Sequence, residues 1–301
     1  MNRILPGAAI LMTAAFAFAK EGSPGVPVTV VATVEPAKDS PRPAIAPQDI
    51  LVSHSNQRLD LTNVSPVRTA GMQLWVVIDD GSSTNIGVQL ADLRKFIQQQ
   101  PASTEVGVGY IHNGFVEPVQ PLTSDHAQAA KAIHLPSGQP GISASPYLGL
   151  VDLIHKWPST EQAREVLMIT SGIDPDYGSG PENPYLAQAI DAAQRAGIVV
   201  HSLYYSAAGL QGRIAGRIYW GQNYLSELSQ ATGGRFYWQG DYNPVALAPY
   251  LDDLNRRFDS QYLVTFLAPL QTKPDFESVR FSAEVQKLKV TGPNRVWVAD
   301  R

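Results

Sequence analysis

Leu74-Trp75-Val76-Val77-Ile78-Asp79-Asp80-Gly81-Ser82-Ser83 is the stretch whose reading decides the fold. The run from Leu74 to Ile78 is apolar without a break, as a strand covered on both faces requires. The chain then turns polar, and Ile86, Leu90, Leu93, Phe96 and Ile97 recur on one helix face until Pro101 stops it. A doubly buried strand followed at once by an amphipathic helix is the repeating unit of an α/β sheet.

Working outward, Glu105–Ile111 reads as the next strand, with a short antiparallel return at Phe115-Val116. Helices are expected from Asp125 to His134 and from Pro146 to Trp157. Glu165–Thr170 is a strand, Pro184–Ala196 a helix closed by Gly197, and Ile198–Tyr204 a strand. An irregular stretch over 206–222 precedes a helix around Tyr224–Thr232, ended by Gly233-Gly234. Arg235–Trp238, Val245–Phe258 and Tyr262–Phe266 read as strand, helix and strand. This alternation implies an α/β fold with a doubly wound, mostly parallel sheet, and small β segments at both ends of the chain. At the N-terminal side these are Val28–Val34, Asp49–Val52 and Arg58–Thr62, with Ser55-Asn56 as a turn. At the C-terminal side they are Phe276–Val285 and Arg295–Ala299, which could pair with the N-terminal strands.

The first 19 residues have a secretory signal pattern: Arg3, an apolar stretch over 4–18, and a small-x-small site ending at Ala19. The run is short for a bilayer span, and no second apolar run is long enough, so the expectation is an exported chain with no membrane span once cleaved. The division expected is 1–19 signal peptide, 20–70 Pro-rich linker and small β segment, 71–268 α/β domain, and 269–301 C-terminal β segment. With 301 residues, the chain is long enough for a substantial core. The formal net charge of -4 gives no footprint for a phosphate backbone, so nucleic acid is not an expected partner. Having no cysteine, the chain lacks disulfides, thiol catalysis and zinc–thiolate sites.

Four segments, in order, resemble the von Willebrand factor type A family, in particular its divergent exported bacterial branch, over about residues 72–268. They are Asp79-Asp80-Gly81-Ser82-Ser83, Ser143-Ala144-Ser145-Pro146-Tyr147-Leu148, Leu167–Asp174, and Ala231-Thr232-Gly233-Gly234-Arg235-Phe236-Tyr237. The resemblance implies loops gathered at the C-terminal edge of the sheet, where the family holds a divalent cation. Asp79 matches the family's first carboxylate, Ser83 its second serine, and Ser145 stands for its threonine. Gly81 replaces a serine ligand and Ser171 an aspartate, so the resemblance implies a degraded site. Magnesium or calcium on Asp79, Ser83 and Ser145 is the alternative, with Asp174 and Asp176 available to restore charge. A shifted register, Asp80-x-Ser82-x-Thr84, would also restore the loop. Against ligation stand capping roles: Ser145 before Pro146 is a helix start, and Asp79 or Asp80 can bond loop amides.

A second candidate surface is the 206–222 stretch, where Arg213, Arg217, Tyr219 and Trp220 are residue types that dominate interface hot spots. The six histidines, at 54, 112, 126, 134, 155 and 201, form no HExxH spacing, and neither a nucleophile elbow nor a phosphate loop occurs. His201, inside an apolar strand, reads as a satisfied core residue. The expectation is a non-catalytic binding module that recognises a protein or peptide through loops at the sheet edge, without a resident cofactor. A cation-dependent adhesin-like protein and a serine hydrolase using Ser143 or Ser171 with His112 are the alternatives.

Overall fold

A computed structural model describes residues 25–36, 49–138, 145–240, 242–285 and 287–299. The signal pattern, most of the linker and Ser143 lie outside the described residues.

Strand β1 (Gly25–Pro36) is followed by β2 (Ile50–His54), β3 (Gln57–Arg58), β4 (Leu61–Pro66) and the single turn α1 (Val67–Ala70). Ser55 and Asn56, both at positive φ, turn the chain between β2 and β3. Then comes the expected alternation: β5 (Met72–Asp79), α2 (Leu90–Gln98), β6 (Thr104–His112), β7 (Phe115–Thr123), α3 (His126–Lys131), α4 (Pro146–Lys156), β8 (Ala163–Thr170), α5 (Pro184–Ala196), β9 (Ile198–Tyr204), α6 (Ala215–Thr232), β10 (Phe236–Tyr237) and α7 (Ala248–Phe258). The chain closes with β11 (Gln261–Pro269), β12 (Asp275–Ser278), β13 (Arg280–Ala283), β14 (Leu288–Thr291) and β15 (Arg295–Val298).

The central sheet has the order β10-β9-β8-β5-β6-β7, parallel except for the hairpin return β7. It is doubly wound because β5 buries side chains in both directions. Leu74, Val76 and Ile78 join the core under α2, α3 and α7, whereas Trp75 and Val77 join the core under α4, α5 and α6. The order turns back between β5 and β8, and crevices in open sheets form where the order reverses.

One strand departs from the expected division. The segment at Tyr262–Phe266 is part of β11, which leaves the central sheet and pairs antiparallel with β1 and β4. β1 also pairs with β14, and β2 with β13, so both chain ends build one platform. Alternation explains the departure: Val264, Phe266 and Ala268 point into a third core within the platform, while Leu263 faces the α/β layers. Such two-sided service, one face per core, suits an antiparallel strand between layers. Several elements are shorter than expected, among them β10, which spans only Phe236–Tyr237. α3 spans only His126–Lys131, capped by Asp125, and α7 begins at Ala248 rather than Val245.

His201 sits wholly buried in β9. Its Nδ1 accepts the Arg235 amide, so Nε2 carries the proton it donates to Glu165 at 2.7 Å. That is the satisfied core role expected for it.

α6 crosses the turn after β8 at Gly221, where a Cβ would lie 2.5 Å from the Ser171 carbonyl oxygen. Gly216, on the same helix, has open space around the corresponding position. Gly221→Ala is therefore expected to cost about 2 kcal/mol through forced backbone separation, and Gly216→Ala to gain about 0.5 kcal/mol from helix propensity. Denaturant unfolding of both variants checks the pair; equal effects would contradict the close approach.

Candidate functional site

The loops after β5, β8 and β9 and the start of α4 meet at the C-terminal edge of the central sheet. Asp79, the last residue of β5, is buried, and its carboxylate bridges two elements: Oδ2 accepts the Thr170 hydroxyl at 2.6 Å, and Oδ1 accepts the Gly81 amide at 2.9 Å. Burial holds this carboxyl above its ordinary value, although the Thr170 and Gly81 hydrogen bonds pull the other way. Thr170 ends β8, the strand beside β5, so the bond spans the reversal point of the sheet. Thr170 lies within the Leu167–Asp174 segment but is not among the candidate site residues that the sequence points to. The signal was its place as the last residue of a strand aligned with β5.

Asp80 points elsewhere. It accepts the Ser137 amide at 2.7 Å and the Ser137 hydroxyl at 2.6 Å, and His112 Nδ1 lies 3.3 Å away. Burial would raise its carboxyl, but the Ser137 bonds and His112 outweigh burial and hold it below the ordinary value. The shifted register is thus used to pin the 135–138 segment, not to complete the loop. Ser82 is buried with its hydroxyl unpartnered, and its residue bridges to Ala207. The Ser83 amide bonds the Ser206 carbonyl, and its hydroxyl accepts Asn85 N at the start of the 3-10 turn Thr84–Gln89. Backbone bonds therefore lace the β5 and β9 loops together.

Ser145 does not act as the helix cap that Pro146 suggests, because its hydroxyl accepts no α4 amide. Instead it donates to Asp174 Oδ2 at 2.7 Å, and its amide donates to Asp176 Oδ2 at 2.9 Å. Asp174 is wholly buried and accepts four bonds: the Ser145 hydroxyl, the Asn183 side-chain amide, and the backbone amides of Asp176 and Tyr177. Asn183 in turn caps α5. Asp174 and Asp176 thus clamp the start of α4 to the β8 loop. Ser171 is buried, and its hydroxyl accepts the Ile173 amide. Tyr147 donates to the Gly172 carbonyl; burial lifts its phenol well above the ordinary value, and the Asp174 and Asp79 carboxylates add to the lift.

The test for a divalent cation is whether these oxygens are available. Both Asp79 oxygens, the Ser83 hydroxyl and the Ser145 hydroxyl have protein partners. Gly81 and Ser171 contribute neither the hydroxyl nor the carboxylate of the family pattern. Among the described residues, no three carboxylate or imidazole side chains converge on a point. A hard cation wants six or more oxygens with compensating charge. The hydroxyls of Ser137 and Ser145 donate to carboxylates.

The 206–222 stretch is not the long loop expected. Arg213 is on a short 3-10 turn, and Arg217, Tyr219 and Trp220 are on the first turns of α6, which starts at Ala215. Ile218, Gly221, Leu225 and Leu228 recur at helical spacing and are buried, which extends the helix toward its N-terminus. Tyr219 is exposed, Trp220 stacks on Tyr224 at 5.9 Å, and Arg217 bonds Gln211. Arg213 is exposed at the same edge.

Several solved structures are similar to this chain. An aerotolerance-related membrane protein from Bacteroides fragilis is 17% identical, with 63% of this chain and 99% of that one covered and a TM-score of 0.45. Mussel byssus proximal thread matrix protein 1, with a zinc-occupied MIDAS motif, is 15% identical over 67% of this chain and 48% of its own, at TM-score 0.48. The ArnB paralog VWA2 from Sulfolobus acidocaldarius is 10% identical over 93% of this chain and 73% of its own, at TM-score 0.42. No protein-family model matches the chain, and no curated protein matches it in sequence.

Two outcomes follow from the clamp. Asp174→Ala strands four donors and should cost more than about 3 kcal/mol, whereas Ser145→Ala, which removes one donor, should cost about 1 kcal/mol; thermal and denaturant unfolding separate them. Asp79 holds its proton more tightly folded than unfolded, so its contribution to stability is complete at acid pH and is lost as pH rises through the folded value. The thermal midpoint of Asp79→Asn relative to wild type should therefore be highest at neutral pH. It should fall as pH drops below the usual aspartate value of about 4. A difference flat across that range would contradict the assignment.

Proposed function

We propose that this chain is a divergent, exported von Willebrand factor type A-like module, non-catalytic and without a resident cation, that binds a protein or peptide partner at the C-terminal edge of its central sheet. One observation carries this reading. Apart from Leu270 and Val285, every large apolar side chain exposed among the described residues stands on the loops, turns and the ends of strands and helices at that one edge. Leu210 (74% exposed), Tyr219 (59%), Tyr242 (82%) and Val245 (89%) are among them. Large exposed apolar groups gathered on one side mark an interaction surface, and Arg213 and Arg217 add forked donors to the same edge.

The reading as a module that needs no metal draws support from the engaged oxygens of Asp79, Ser83 and Ser145. Export rests on the pattern of residues 1–19; no helix among the described residues is long and apolar enough to cross a membrane.

Two measurements test the reading. Adding magnesium or calcium should leave the thermal midpoint unchanged, since a ligand that binds only the folded state must raise it. Second, an Arg213→Glu/Arg217→Glu/Tyr219→Ser variant should lose a binding partner that the wild-type chain captures from the native envelope, while Lys131→Gln keeps it. A rise in midpoint with either cation supports the adhesin-like alternative, and equal capture by all three proteins removes the edge as the binding surface.

A further inference from the structure

We propose that a second site, at the opposite end of the α/β domain, binds a small multiply charged anion bearing phosphate or carboxylate groups. It goes beyond the partner-binding edge and does not depend on it. α6 returns from the C-terminal edge of the sheet, so its end at Thr232 and the start of β10 lie at the N-terminal edge. There a cleft of about 570 Å³ opens between the α/β domain and the terminal β platform. Ligand clefts commonly fall in the range of about 300–1,000 Å³ and favour such domain junctions.

The charge of this cleft is what singles it out. Arg235, Arg257, Arg280 and Lys289 line it, and Glu35 is the one carboxylate among its lining residues. The chain as a whole is acidic, at -4, so this local excess runs against the average. The four cations come from separate elements: the lead into β10, then α7, β13 and β14. No basic run in the sequence announces them.

Arg257 forms the fixed part. Its side chain is almost wholly buried, and it donates to Glu35 at 2.8 Å, to the Gly233 carbonyl and to the Thr291 hydroxyl, while its Nε has no partner. Arg235, Arg280 and Lys289 are exposed around it, and no carboxylate among the described residues forms an ion pair with them. Like charges facing one cleft repel, and a bound anion relieves that repulsion.

The walls are rigid. A Cβ on Gly233, which sits at φ +83°, would lie 2.7 Å from the Gly292 carbonyl carbon, and one on Gly292 would meet the Phe281 ring at 2.7 Å. The end of α6 and the segment after β14 are therefore pressed backbone to backbone, so the cations are carried on a preformed frame. Arginine forks match the paired oxygens of phosphate and carboxylate alike, so the shared chemistry is an anion with two or more such groups.

Calorimetric titration of the full chain with inorganic pyrophosphate and, separately, with citrate tests this. Sodium chloride is adjusted to hold ionic strength at roughly 0.15 M, so that general screening is constant. Saturable one-to-one binding of at least one anion is expected, weakened about tenfold in Arg235→Gln and in Arg280→Gln, each of which removes one charge-assisted contact. Lys131→Gln should bind as wild type does, and far-ultraviolet circular dichroism confirms that the exposed-site variants are folded. Binding of pyrophosphate alone assigns a phosphate-bearing ligand, citrate alone a carboxylate-bearing one, and both together the shared chemistry. Absence of saturable binding for both anions overturns the proposal, as does undiminished affinity in the two arginine variants.

Discussion

β5 has no wet face, and the rest of the molecule follows from that. A strand apolar from Leu74 to Ile78 must be covered twice, so helices have to lie on both sides of the sheet that contains it. Parallel neighbours then require helical crossovers, and the crossovers deliver every connecting loop to one of two edges. The C-terminal edge collects the turns after β5, β8 and β9. The N-terminal edge collects the helix ends and meets the platform.

At the C-terminal edge, burial governs the chemistry. Asp79, Asp174, Ser145 and Ser171 are all withdrawn from water, and a buried polar group must find a partner or lose stability. They find one another and the loop amides. Asp79 bonds across to Thr170, and Asp174 gathers Ser145, Asn183 and two backbone amides. These bonds fasten the loops to each other. A fastened edge is a rigid one, and in the binding role proposed above rigid placement lowers the ordering cost of presenting Leu210, Tyr219 and Val245.

The platform has a different logic. β1 and β11 are alternating strands between two cores, with Val31 and Leu263 turned to the α/β layers and Val30, Val264 and Phe266 turned to their own sheet. Arg257 on α7 ties this layer to the end of α6 and to Glu35 on β1. The junction is therefore packed and hydrogen-bonded, and the cationic cleft beside it inherits a fixed shape.

Most strand and helix periods were legible, because continuous apolar runs and 3.6-residue spacing are local properties of the chain; the first half of α6 and the short strand β14 were not. Gly197 and Gly233 as helix stops, and the Ser55-Asn56 turn, were legible for the same reason. What the sequence could not decide was which side chains would face each other. Ser145 before Pro146 has the local form of a helix cap, yet Asp174, 29 residues away, takes its hydroxyl. Tyr262–Phe266 has the local form of a sixth parallel strand, yet pairing with β1 and β4 draws it into the platform. Four cations spread from Arg235 to Lys289 converge only because a crossover and an antiparallel return bring them to one cleft. The sequence alone determined period, burial and stops, which depend on near neighbours; the tertiary structure decided partners, because those depend on how distant segments are packed together.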